Sequence, residues 1–135
     1  LFTNCFTKQT MPFWGLVFTS SLFAIPTIIA ARRKKHLDAL CIGSVMTTSI
    51  VYHATQHPLA HSIDKALVHA VSYGYGGVAA TKKPSPVLTS AIASHLLCGL
   101  IYYKKSQGSK TPTSPFWHMV VHGCGLVTSL LLVHS

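Results

Sequence analysis

Uncharged apolar stretches alternate along this chain with short basic clusters. The intervals 9–31, 39–63, 66–81, 84–103 and 111–135 contain no Asp, Glu, Lys or Arg. Each is close to or longer than the roughly 17 to 25 residues that cross a bilayer as a helix. The pattern predicts an all-α integral membrane bundle of five transmembrane helices in a single domain. Their expected limits are about 12–31, 37–55, 63–80, 86–103 and 116–133.

Local signals set those limits. Phe13 and Trp14 are interfacial anchors for the first helix, and Arg32, Arg33, Lys34 and Lys35 close it. Pro26 is expected to kink it, as membrane helices tolerate. Thr47, Thr48 and Ser49 give the second helix a polar stripe that should face protein rather than lipid. A turn at 56–62 containing His57, Pro58 and His61 leads to the third helix, expected to begin near Ile63. Its later glycines, Gly74, Gly76 and Gly77, permit close helix approach but weaken helix formation. Lys82, Lys83, Pro84 and Pro86 end it, and the polar segment 104–115 reads as a loop before the last helix.

Composition agrees with a membrane protein. Of 135 residues, 49% are hydrophobic and only 10% charged, with eleven Lys and Arg against two acids. The basic clusters lie at the ends of apolar runs, where headgroups are met, rather than forming a basic face interleaved with aromatics. No nucleic-acid partner is therefore expected; membrane lipids are. Dividing the basic residues between the two sides gives no usable orientation bias. Cys5, Cys41, Cys98 and Cys124 are scattered without a C-x-x-C pair and read as packing residues. The first eleven residues are Thr-rich and acid-free from Leu1, which suits the remnant of a presequence. That points to an organelle membrane, the mitochondrial inner membrane first and the ER or Golgi as the alternative.

The chemistry lies in a few polar residues placed inside apolar runs. Ser49 and His53 are four apart, as are His118 and His122, so on helices each pair shares one face. Asp64 is one of the two acids and falls at the start of an apolar segment, where an unpaired carboxylate is costly. If five helices alternate direction, His53, Asp64, His118 and His122 all fall within roughly 10 Å of the same membrane face. Three neutral imidazoles with an open fourth position describe a catalytic zinc site, at which a water is activated as nucleophile. Asp64 is then placed to orient that water or take its proton, and Ser49 to donate to the oxygen that becomes negative. The bland alternative is that these groups only hydrogen-bond across helices.

This set resembles the signature of the CREST superfamily of seven-helix membrane proteins, which includes the alkaline ceramidases, the progestin and adipoQ receptors and the Per1-like proteins. The likeness is greatest to the alkaline ceramidases. In that family a Ser stands four before a His on the second helix, an Asp follows eleven after that His, and a His-x-x-x-His pair lies on the last helix. Ser49, His53, Asp64, His118 and His122 reproduce these spacings. The resemblance implies zinc held by His53, His118 and His122, with Ser49 and Asp64 as catalytic residues beside it, and hydrolysis of a lipid amide or ester. It covers the motif regions, and the chain departs from the family in having five expected helices rather than seven; a loss of two leaves the direction of the last helix unchanged.

A reading of a different class is a non-catalytic accessory subunit of a larger organellar membrane complex, whose other subunits cover the faces left open and which keeps the metal for structure. Haem ligation by His95 with His53 or His122 ranks third, because it explains neither Ser49 nor Asp64. His57 and His61 are expected at the proposed site as gate or spare ligands. His36, His69, His95 and His134 are expected to be interfacial or packing groups.

Overall fold

The computed structural model describes residues 13–107 and 114–135. The expectations placed on residues 1–12 and 108–113, among them Cys5, Lys110 and the middle of the 104–115 loop, lie outside the described residues. Among those described there are six α-helices and no strand: α1 (Trp14–Ser21), α2 (Ala24–Arg32), α3 (His36–Thr55), α4 (Pro58–Thr81), α5 (Pro86–Ile101) and α6 (Ser114–His134), with a π-helical turn (Tyr102–Gln107) continuing α5.

The first expected helix is α1 and α2 together, broken at Leu22 and Phe23. Pro26 supplies the cause, because its ring cannot accommodate the carbonyl four residues earlier, that of Leu22. The backbone there tightens, with Phe23 N bonding Ser20 O at 3.2 Å and Ile25 N bonding Leu22 O at 3.1 Å. Residues 33–35 then turn the chain, with Lys34 in the left-handed region at φ 60°.

α3 ends at Gln56, also left-handed (φ 54°), whose amide nitrogen Nε2 donates to the His53 carbonyl at 3.0 Å. The turn expected at 56–62 is shorter than the sequence suggested, since α4 begins at Pro58. Proline fits a first helical position because its missing N–H would have no partner there. The His57 imidazole accepts from Leu59 N at 3.2 Å and satisfies one of the remaining donors. Asp64 is thus in the second turn of its helix rather than the first.

Ser85 caps α5, accepting from Leu88 N at 3.1 Å, and Pro86 follows as the first helical residue. Beyond Ile101 the expected loop begins as the π-helical turn, which leans on α6 with Lys105 Nζ 5.8 Å from the Trp117 ring centroid.

α6 packs along α5 and also against α1 and α2, while α3 packs against α1, α2 and α4. Buried apolar residues form two small clusters, Leu88 with Ala91 and Leu132, and Ala30 with Ile42 and Val133; Tyr75 packs against both. Gly43 lets α2 and α3 approach, since a Cβ there would stand 3.3 Å from Thr27 Cγ2. The outside is apolar: Trp14, Phe18, Leu37, Leu40 and Leu96 are each about two-thirds exposed (66 to 70%). In water such a surface would be an aggregation liability; in a bilayer it is solvated by acyl chains.

Among the described residues four helical segments are long and apolar enough to cross a membrane: Trp14–Arg32, His36–Thr55, Pro86–Lys105 and Pro115–His134. The fifth expected crossing, α4, has 24 residues, about 36 Å of helix, but lacks the mean hydropathy. His61, Asp64, Lys65, His69 and Ser72 lower it, and all five line the interior cavity described below.

The alternation predicts that single cysteines introduced at Gln56 and Lys104, in a chain freed of its own cysteines, react with a membrane-impermeant maleimide from one side. Cysteines at Lys34 and Lys83 should react from the other. Labelling of Gln56 and Lys104 from opposite sides would contradict the fold.

Candidate metal centre

His53 stands in the last turn of α3, and His118 and His122 in the second and third turns of α6. The antiparallel run of the two helices brings these ends to one level. His53 is buried, at 2% exposure. The ring centroids are 5.1 Å apart for His53 and His118, 5.3 Å for His53 and His122, and 4.9 Å for His118 and His122. One nitrogen from each ring lies within 4.8 Å of those from the other two. Zinc held at about 2.0 to 2.1 Å sets its ligand nitrogens about 3.3 to 3.4 Å apart, so modest rotation of the rings closes the difference. The cluster suits a metal ion.

Two further observations bear on that fit. His53 Nε2 is buried and has no hydrogen-bond partner among the described residues. An orphaned buried nitrogen costs about 1–3 kcal/mol, which a bound cation would recover. His122 Nδ1 lies 2.8 Å from Thr19 Oγ1, whose hydroxyl donates to Leu16 O at 3.2 Å. With that proton committed, the hydroxyl accepts from Nδ1–H. The tautomer this network assigns leaves His122 Nε2 bare, as a ligand must be. Thr19 was not singled out by sequence reasoning; the one signal for it is a polar Thr19, Ser20, Ser21 run inside an apolar helix.

Asp64 is buried and its Oδ1 accepts from Ser49 Oγ at 2.6 Å and from Thr48 Oγ1 at 2.8 Å. The polar stripe of α3 therefore divides. Thr48 and Ser49 face the carboxylate, whereas Thr47 is exposed and bonds the Gly43 carbonyl at 2.8 Å. The Ser49 hydroxyl is directed to Asp64 rather than to the histidines.

Ser49, Asp64, His118 and His122 line one cavity of about 300 Å³, with His53 buried behind them. The cavity continues among α3, α4, α5 and α6 past Val68, Val121 and Met46 to Tyr75 and Leu132. His118 and Leu132 are about 21 Å apart along α6, so it runs deep along the bundle axis. Its size is at the lower end for small-ligand sites, and its walls are mainly apolar.

The other histidines take separate places. His61 stacks on Tyr52 at 4.6 Å, and Tyr52 on His53 at 4.7 Å, so His61 stands beside the cluster and is not part of it. His57 belongs to the turn described above. His95 lines the cavity apart from the cluster, and His134 Nδ1 bonds Leu130 O at 2.7 Å. Cys41, Cys98 and Cys124 are free and half-buried, as packing residues are. Comparison of the chain with family profiles, curated proteins and solved structures gives no match.

The purified protein should carry one divalent ion per chain. His53→Ala should weaken its retention at least about a hundredfold, and Thr19→Val about ten- to a hundredfold, the usual effect of losing a group that orients a metal-bound histidine. Competition with a chromophoric chelator measures both, and unchanged affinity in His53→Ala would contradict the site.

Proposed function

We propose that this chain is a zinc-dependent membrane hydrolase acting on an amide or ester bond of a lipid, as its resemblance to the alkaline ceramidases and their relatives implies. The observation that carries the reading is the cluster of His53, His118 and His122, the last two of which line one mainly apolar cavity with the buried Asp64 in a membrane bundle. Zinc bound by the three imidazoles would supply Lewis acidity and bring water near neutral ionisation.

The chain's own residues do the rest. Asp64 offers a carboxylate to take the proton of the attacking water and to return it to the leaving nitrogen or oxygen. Ser49 and Thr48 fix that carboxylate through Oδ1 and help offset its burial, which is otherwise expensive. Thr19 fixes the His122 ring. The apolar walls take the hydrocarbon part of the substrate and limit bulk water to the mouth of the site.

One observation favours the reading as a non-catalytic subunit within a larger assembly. α4 and α5 scarcely touch, so the cavity's flank between them is thinly closed by this chain alone.

Asp64→Asn separates the two. Under the hydrolase reading, in protein reconstituted in nanodiscs with fluorogenic acyl-amide and acyl-ester lipids, the variant keeps its metal and loses at least about a hundredfold in kcat. Turnover equal to that of the unsubstituted protein removes Asp64 from catalysis. No turnover by either protein, with metal retained, supports the subunit.

A further inference from the structure

Lys65 follows Asp64 on α4, about 100° further round the helix, and both line the cavity. Asp64 bonds Ser49 and Thr48, whereas Lys65 is half-buried on the cavity wall. It is the one Lys or Arg among the residues lining that cavity. Its ammonium has no hydrogen-bond or ion-pair partner among the described residues. The chain cannot easily supply one. Its two acids are Asp38 and Asp64, and Asp38 already accepts from Tyr75 at 3.4 Å.

The neighbouring polar groups do not neutralise it either. His69, one turn on, donates from Nδ1 to the Lys65 carbonyl at 2.7 Å and receives the Tyr103 hydroxyl at Nε2, 3.1 Å away. Both of its nitrogens are used. His61, one turn before, stacks on Tyr52. A cation without a counter-ion in an apolar, membrane-embedded cavity is costly, and such residues mark the path or the binding place of a charged ligand.

We propose that Lys65 anchors the phosphate of an anionic lipid headgroup, so that the substrate of this site is a phosphate-bearing acyl lipid rather than a neutral one. This rests on the hydrolase reading for which bond is cut, but not for the anion site itself. Lysine binds phosphate as a point charge without needing a second donor. One cavity holds both Lys65 and the groups proposed to act on the acyl carbonyl, as a lipid carrying a phosphate and an acyl group on one glycerol or amino-alcohol backbone requires. A fatty-acid carboxylate, by contrast, would arise at the reacting carbon and so lie against the histidines.

The test is binding without turnover. Ether-linked, fluorescent-tailed phosphatidic acid, the matching dialkylglycerol and a fluorescent fatty acid are titrated into the intact protein and into Lys65→Met and Lys65→Arg. The protein should bind the phosphatidic acid at least about tenfold more tightly than the dialkylglycerol, the fold-change of one charge-assisted hydrogen bond. Lys65→Met should abolish that preference while leaving dialkylglycerol and fatty-acid binding unchanged, which also reports an intact fold. Lys65→Arg should keep it. Equal binding of the two ether lipids, a preference that survives Lys65→Met, or a loss confined to the fatty acid would overturn the assignment. The hydrolase reading fails separately: a preference lost with Lys65→Met in a protein that cleaves no ester-linked lipid would leave the anion site standing.

Discussion

Polar groups inside a membrane bundle must find partners within the protein, because acyl chains offer none. That constraint explains which contacts of this small structure matter. Its apolar core is slight, and many more of its large apolar side chains are exposed than fully buried. The interior is held instead by polar contacts between helices: Ser49 and Thr48 of α3 to Asp64 of α4, Thr19 of α1 to His122 of α6, and Ser94 of α5 to Thr128 of α6 at 2.9 Å. Two of these three surround the histidine cluster. Fold and site therefore share one set of interactions.

The helices were legible because charge is nearly absent between the basic clusters, and the site because polar residues are rare within them. Ser49, His53, Asp64, His118 and His122 could be read together from spacing and from the parity of the helices, and the structure brings the three histidines into one cluster and pairs Ser49 with Asp64. The boundaries were less legible. Pro58 resembles a turn residue in sequence, yet a proline starts a helix as readily as it ends one. At the first helix the kink was expected from Pro26, but the backbone gives way at Leu22 and Phe23, where the clash falls.

Thr19 was hidden for a different reason. Threonine in a membrane helix commonly bonds its own turn, as Thr27 does to Phe23 O at 2.7 Å and Thr47 does to Gly43 O. Sequence does not distinguish those from Thr19, Thr48 and Thr128, whose hydroxyls meet groups on another helix, because that depends on rotation about the helix axis within the bundle. The same rotation turns Asp64 to Ser49 and Thr48 and leaves Lys65, next in sequence, on the wall of the same cavity without a partner among the described residues. α4, the long helix that lacks the hydropathy of a membrane span, turns His61, Asp64, Lys65, His69 and Ser72 to the cavity.

The hydrolase reading depends on a metal held by three imidazoles, and X-ray absorption at the zinc edge on the purified protein tests that most directly. The account predicts zinc with a first shell of nitrogen and oxygen at about 2.0 to 2.1 Å and the multiple-scattering pattern of three imidazoles. Absence of bound zinc, or a shell containing sulfur at about 2.3 Å, would contradict it.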